Sequence, residues 1–380
     1  MPINITVPTC FTYEFLSELA RINAAPETRY PIAEVFGSLP SSPVGSLRQA
    51  GVLPAVDMGG LKKHVEEALS LGFRFNYTLN SQWLGGLEGT PGGRAALLKH
   101  LAEVAACGVS RFTVSLPFLA QLIRAHFPGV KVSVSIVAGA GNCMALNQWA
   151  EYGADRVVVT RDINRNFPLL RDISGYKGME LEVLATSPCI LNCQETVYHG
   201  LVSSHLSRSG KSPGPVCGGG GYEQSYYCLY YALNHLEEFI KMPWVRPEDI
   251  DLYESAGVRW LKLDGRDKRS GYNLKRIARY CQGRYEGNLL HLLLESYPET
   301  YEAFTRTFCE NGSAVFIDNR SLDGFVRRTW YDQGPCRGIC ENCGICSSTA
   351  ENLVEVDKLW KEIILAKLLS GQDERLLKNS

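Results

Sequence analysis

Between residues 3 and 266 the chain alternates short β-rich stretches with amphipathic helical ones, eight times over. INITVPT (3–9), YPIAEVFGS (30–38), FRFNYTLN (73–80), RFTVSLP (111–117), VKVSVSIVA (130–138), DRVVVTRDI (155–163), MELEVLATSP (179–188) and VRWLKLDGR (258–266) read as strands. Helical text fills the gaps. GLKKHVEEALSLG puts Leu61, Val65, Ala68 and Leu69 on one face, and RAALLKHLAEVAACG stops at a glycine. This rhythm predicts an α/β fold, a parallel (β/α)8 TIM-like barrel over residues 1–270. A Gly/Ser/Pro-rich loop, 207–224, interrupts it as a lid or linker. Residues 271–380 read as a C-terminal helical, cysteine-rich appendage, with helices over NLKRIARYCQ, LHLLLESYPETYEAFTRTFCEN and LVEVDKLWKEIILAKLL.

A barrel of this kind carries functional side chains at the C-terminal ends of its strands. That selects Glu34, the stretch from Asn76 to Asn80, Ser115, Asn164, Arg165, Cys189, Cys193 and the stretch from Lys262 to Arg266. Polar residues at such ends are also ordinary turn chemistry. Lys262 and Asp264 share a face of the eighth strand, and an inward Lys262 suits a carboxylate-bearing substrate. Glu34 is either a general base or a salt-bridge partner. His199 and His205 either position a substrate and donate protons or are satisfied core histidines. Arg246-Pro-Glu-Asp249 most simply opens a helix, with Pro at an early position and acids in the first turn. No G-x-S-x-G elbow, Ser-His-Asp order, H-E-x-x-H, G-x-G-x-x-G or P-loop is present.

The start, MPINITVPTCFTYEFL, shows no basic region ahead of an apolar one, and no uncharged stretch approaches the length of a membrane span. A cytoplasmic location is therefore expected. A net charge of -1 gives no electrostatic ground for a membrane or nucleic-acid partner. In a reducing compartment the thirteen cysteines point to metal ligands and small buried hydrophobes rather than disulfides.

The cysteines fall into two groups. SPCILNC places Cys189 and Cys193 after the seventh strand, Cys217 lies in the glycine loop, and Cys228 follows in SYYCLYY. Three or four thiolates at a barrel mouth suit a [4Fe-4S] cluster, zinc is the softer-ligand alternative, and burial as small hydrophobes is the bland one. The second group is PCRGICENCGIC, in which Cys336, Cys340, Cys343 and Cys346 have C-x3-C-x2-C-x2-C spacing. Zinc sites usually separate two cysteine pairs by a dozen residues or more, whereas successive C-x2-C steps resemble iron–sulfur runs. The first three also have radical-SAM spacing, but they follow the eighth strand rather than the first, which argues against that chemistry.

AEVFGS (33–38), FNYTLN (75–80), TVSLP (113–117), NRNF (164–167), LEVLATSPCILNC (181–193), YYC (226–228) and WVRPEDIDLYESAGVRWLKLDGR (244–266), together with the cysteine-rich tail, resemble peptidase family U32, the collagenase-like peptidases. The resemblance covers most of residues 1–350 and points to the branch related to iron–sulfur, oxygen-independent hydroxylases of ubiquinone precursors and RNA. It implies a barrel holding a [4Fe-4S] cluster on Cys189, Cys193 and Cys228, with Cys217 or else Cys10 as the fourth ligand, and prephenate as the oxygen donor. The chain lacks the long C-terminal extension of the RNA-modifying relatives and carries the tail of a shorter branch. The resulting expectation is an iron–sulfur redox enzyme hydroxylating, or similarly transforming, a small organic substrate. Lys262, Arg266 and Glu34 would orient that substrate. A second, tail cluster would pass electrons from a donor protein. Sulfur transfer by an open cluster iron, a cluster-bearing subunit working with a homologous partner, and a U32-type peptidase are the alternatives.

Overall fold

The computed structural model describes residues 2–209, 222–294, 315–359, 361, 362 and 365. Eight parallel strands form a closed barrel: β1 (Asn4–Pro8), β2 (Ile32–Gly37), β3 (Arg74–Leu79), β4 (Arg111–Val114), β5 (Lys131–Val134), β6 (Arg156–Val158), β7 (Glu180–Leu184) and β8 (Trp260–Lys262). Each pairs with the next in sequence, and β8 closes on β1 with Asn4 opposite Trp260 and Thr6 opposite Lys262. Between successive strands run α1 (Tyr13–Ala24), α2 (Met58–Ser70), α3 (Pro91–Ala105), α4 (Pro117–His126), α5 (Cys143–Glu151) and α6 (Phe167–Ile173). The expected (β/α)8 barrel is the fold observed.

Short polar side chains start these helices. Thr12, Asp57, Thr90, Asn142 and Asn166 each accept a hydrogen bond from the backbone N–H three residues on, which satisfies one of the donors a helix start leaves open. Gly93 has a further reason to be glycine: a Cβ there would meet the Leu87 carbonyl oxygen at 2.2 Å.

Along the strands, alternate residues face opposite sides. One set, including Ile5, Val7, Val35, Phe75, Phe112, Val134 and Leu181, is buried and apolar and packs under the helices. The other set is polar and fills the barrel. Glu34 on β2 meets Arg156 on β6 at 3.0 Å, a contact only possible across the lumen. Arg156 lies flat on the Trp260 ring, 3.5 Å from its centroid. This barrel is thus oily outside its sheet and charged inside it.

After β7 the chain builds α7 (Thr196–Ser209), α8 (Tyr222–Asn234), α9 (Glu237–Lys241) and α10 (Ile250–Ser255). The expected loop 207–224 therefore begins and ends in helix, and 210–221 lie outside the described residues. After β8 come α11 (Ser270–Gln282) and one turn, α12 (Leu290–Leu293). The rest of the helix expected over 290–311 lies outside the described residues from 295 on. The appendage is not purely helical. β9 (Val315–Ile317) pairs antiparallel with β10 (Val354–Val356), so VEV, expected to begin a helix, is a strand. Two β-branched residues flanking a polar one suit a two-stranded edge, and the partner that decides the matter lies about forty residues upstream.

The appendage is fastened by the block expected to open a helix. Pro247 does begin a helical turn, Pro247–Asp249, ahead of α10. Arg246, fully buried, grips Asp249 with two hydrogen bonds of 2.9 and 3.2 Å and reaches the Asn319 carbonyl and Asp323. Glu248 accepts from the Asn319 side chain and the Tyr285 backbone. Among the described residues no helix is long and apolar enough to cross a membrane.

Candidate active site at the barrel mouth

The loops leaving the C-terminal ends of the strands meet under α7. Ser204 Oγ accepts the Gln82 N–H, Ser207 Oγ accepts the Ser46 N–H, and Arg208 donates to the Pro43 carbonyl, tying α7 to the loops after β2 and β3. Gln82 also donates to the Val137 carbonyl beyond β5. Gly200 is where α7 passes closest, since a Cβ would fall 1.6 Å from Gln82 Oε1. Beside this strap a cleft of about 560 Å³ is lined by Gln82, Val137, Arg161, Asp162, Cys193 and Thr196, among others.

Cys193 lines this cleft, and Cys189 and Cys228 stand in its neighbourhood. Burial pushes the Cys228 thiol up to about 12, the neighbouring Cys189 and Cys193 add to the push, and Arg161 opposes it. The loop carrying the first two is pinned by Asn192, which has a left-handed φ of 54° and donates its N–H to Asp162. Thr196 then donates to the Cys193 carbonyl as α7 begins. Of the two expected fourth ligands, Cys217 lies outside the described residues, and Cys10 sits at the end of β1 in weak contact with Asn273, 4.0 Å. Among the described residues no three Cys, His, Asp or Glu side chains are drawn tightly enough together to grip a metal ion. In kind, Cys189, Cys193 and Cys228 are the soft donors that a thiolate-held cluster uses, with Arg161 nearby.

The mouth is also cationic. Arg266 is buried, donates to Ser38 Oγ at 2.8 Å, and is pushed down to about 9 by burial and then by Arg48. Arg48 pairs with Asp267 at 3.2 Å. His199 is open to solvent at the rim. Its pKa is lowered by desolvation and then by Arg48 and Arg161. His205, by contrast, faces outward and packs on the Trp83 ring at 5.4 Å. Arg48 and Arg161 escaped the sequence reading. Arg161 stands directly after β6, a position that could have revealed it; Arg48 sits in a long irregular loop that carries no pattern.

Other expected site residues make contacts within the barrel and its loops. Glu34 lies below the mouth, fully buried. Burial works against its charge, but Arg156, Arg111 and the Asn76 amide outweigh it and hold the carboxyl below the usual carboxylate range. Of the two roles left open for Glu34, the geometry supplies the ion pair. Asn76 bridges Glu34 and Thr113, and Asn80 donates to Ser135. Ser115 donates to the Ser81 carbonyl, and Asn164 to the Leu184 and Pro243 carbonyls. Arg165 donates to the Ile240 and Met242 carbonyls while its guanidinium contacts the rings of Trp244 and Trp330 at 4.0 and 4.3 Å. Lys262 does point into the lumen. Its buried Nζ rides over the Phe36 ring at 4.1 Å, and burial lowers its pKa against the pull of Glu182 and Glu34.

A second open cleft, about 830 Å³, lies where the chain leaves β1 and β2 and is lined by Phe11, Tyr13, Asp57, Lys63, His64 and Glu67, among others. At its base Thr9 Oγ1 is 2.7 Å from His64 Nε2, and His64 Nδ1 is 3.7 Å from Glu67.

Residues 55–199 match the family model of peptidase family U32. An uncharacterized protease of Methanocaldococcus jannaschii is 26% identical over 298 residues, covering 78% of this chain and 82% of its own. A solved structure of a U32 peptidase superposes with a TM-score of 0.50 at 16% identity, covering 69% of this chain and 92% of that one, a likeness of fold. Over residues 55–199 this α/β-barrel chain is therefore similar to peptidase family U32.

Proposed function

We propose that the chain is an iron–sulfur enzyme acting at the barrel mouth on a small anionic organic substrate, by oxygen-independent hydroxylation or a related redox step. The observation that carries this reading is the nearness of Cys189, Cys193 and Arg161 to Cys228, with Cys193 lining a cleft of about 560 Å³. Cys189, Cys193 and Cys228 would hold a [4Fe-4S] cluster with a fourth cysteine, supplying a Lewis-acidic iron and one-electron chemistry. Arg48, Arg161 and Arg266 surround the same mouth, an arrangement that attracts a carboxylate and fixes its direction. His199 at the rim is fit to accept a proton. Prephenate, the oxygen donor that the family resemblance implies, is a dicarboxylate and matches this cationic lining.

The test is anaerobic purification or reconstitution, with iron, sulfide and zinc measured per chain. Cys193→Ser should lose cluster absorbance, and Arg161→Leu should weaken equilibrium binding of prephenate at least tenfold with the cluster intact. Protein that holds only zinc at the mouth cysteines would sink the reading.

A peptidase remains the second reading, because Thr9, His64 and Glu67 stand in hydroxyl–imidazole–carboxylate order at the other cleft and the M. jannaschii relative is called a protease. Its weak point is access. Thr9 is 1% exposed, with Phe11 covering the His64 ring at 4.9 Å. Hydrolysis of a peptide by metal-free protein, abolished by His64→Gln, would put this reading first.

A further inference from the structure

The mouth does not use the tail cysteines. Cys336, Cys340 and Cys343 are exposed, and Cys346 is half-buried against the core. A surface that keeps three exposed thiols within eight residues invites oxidation unless the sulfurs are engaged. Cys340 and Cys343 occupy one helical turn, α13 (Cys340–Cys343), at a spacing that puts both on the same side. Gly344, with φ of 65°, turns the chain into α14 (Ile345–Leu353), whose second residue is Cys346. Gly338, with φ of 70°, makes the matching turn after Cys336 and aims its N–H at Cys336 Sγ, 3.4 Å away. These turns suit glycine and strain other residues.

An independent feature lies across from the sulfurs. α14 packs on α9, and two cations from the barrel side face the tail. Arg165, nine-tenths buried, neighbours Cys346 and Cys336, and its Nε makes no hydrogen bond among the described residues. Lys241 neighbours Cys346 and Cys340 while its ammonium pairs with Glu238 at 2.8 Å and Glu237 at 3.6 Å. Four thiolates carry more negative charge than a metal centre cancels, and paired cations beneath them offset the remainder.

We propose that Cys336, Cys340, Cys343 and Cys346 hold a second iron–sulfur cluster, distinct from the mouth and seated on α9 over Arg165 and Lys241. The compact spacing favours a cluster over one tetrahedral zinc, whose ligand pairs are usually farther apart in sequence. The exposed thiols close around it on binding, each losing its proton. This centre stands whether or not the mouth carries a cluster.

The experiment uses full-length protein purified anaerobically, with iron, acid-labile sulfide and zinc counted per chain and EPR recorded after reduction. Cys340→Ser/Cys343→Ser is compared with Cys189→Ser/Cys193→Ser. The tail variant should lose about half the iron and sulfide and one EPR signal, and the mouth variant the other half and the other signal. If the tail variant keeps all its iron, if it loses both signals, or if it loses only zinc, the proposal is overturned. If the mouth variant loses nothing while the tail variant loses every iron, the tail centre stands and the mouth reading falls. Should the serine variant fail to fold, Lys241→Gln keeps all four sulfurs. It should lower the midpoint potential of the tail signal alone, and an unmoved potential would overturn the seating.

Discussion

Glu34 carries a full charge where water does not reach, and Arg156 and Arg111 are the reason it can. Removing one member of a buried ionic network strands the others. Glu34→Gln should therefore lower stability by about 3 kcal/mol in urea titrations, because Arg156 and Arg111 lose their nearest carboxylate and keep only longer pairs with Glu180 and Glu182. The i, i+2 run of polar residues along the strands was open to inspection in the sequence: Arg111 and Thr113, Glu180 and Glu182, Lys262 and Asp264. It says that one face of each strand is charged. It does not say that Glu34 meets a residue 122 positions away, because that contact exists only once β2 and β6 face each other across a closed barrel. Cys189 and Cys193 were legible for the opposite reason: their spacing is local and their chemistry narrow.

At the scale of elements, the eight strands could be read because each is a short apolar alternation bounded by turn residues. The appendage resisted because its partners are remote. β10 becomes a strand only beside β9, and the block around Arg246 shows its purpose only when Asn319 and Asp323 are in place. Arg246→Met should cost about 3–5 kcal/mol, since it leaves Asp249 buried without its partner. Native-state proteolysis should then cut first in the appendage, with barrel strands protected; equal cleavage of both would show that the arginine does not fasten them.

Across the whole molecule, buried histidines set an acid limit. Burial holds His64 at about 4, and burial also lowers His100. A histidine depressed on folding leaves the unfolded chain with more protons below pH 6.5, so stability is full above 6.5 and falls as the pH drops toward 4. For His64 the loss over that window is about 3 kcal/mol. The urea midpoint should fall between pH 7 and 4.5, and the fall should shrink in His64→Gln. An equal fall in the variant would move the effect to other groups.

The seam between β1 and β8 has a consequence during synthesis. Residue 4 finds its partner only when residue 260 has left the ribosome. At roughly 5–20 residues per second, that is a wait on the order of ten to fifty seconds. Through that interval β1 is a strand with one unpaired edge, the feature that recruits stray chains. Its sequence, NITVP, is short, polar at alternate positions, and ends in a proline with no N–H to offer. The first strand to be made is thus also one that a neighbouring nascent chain would find hard to extend.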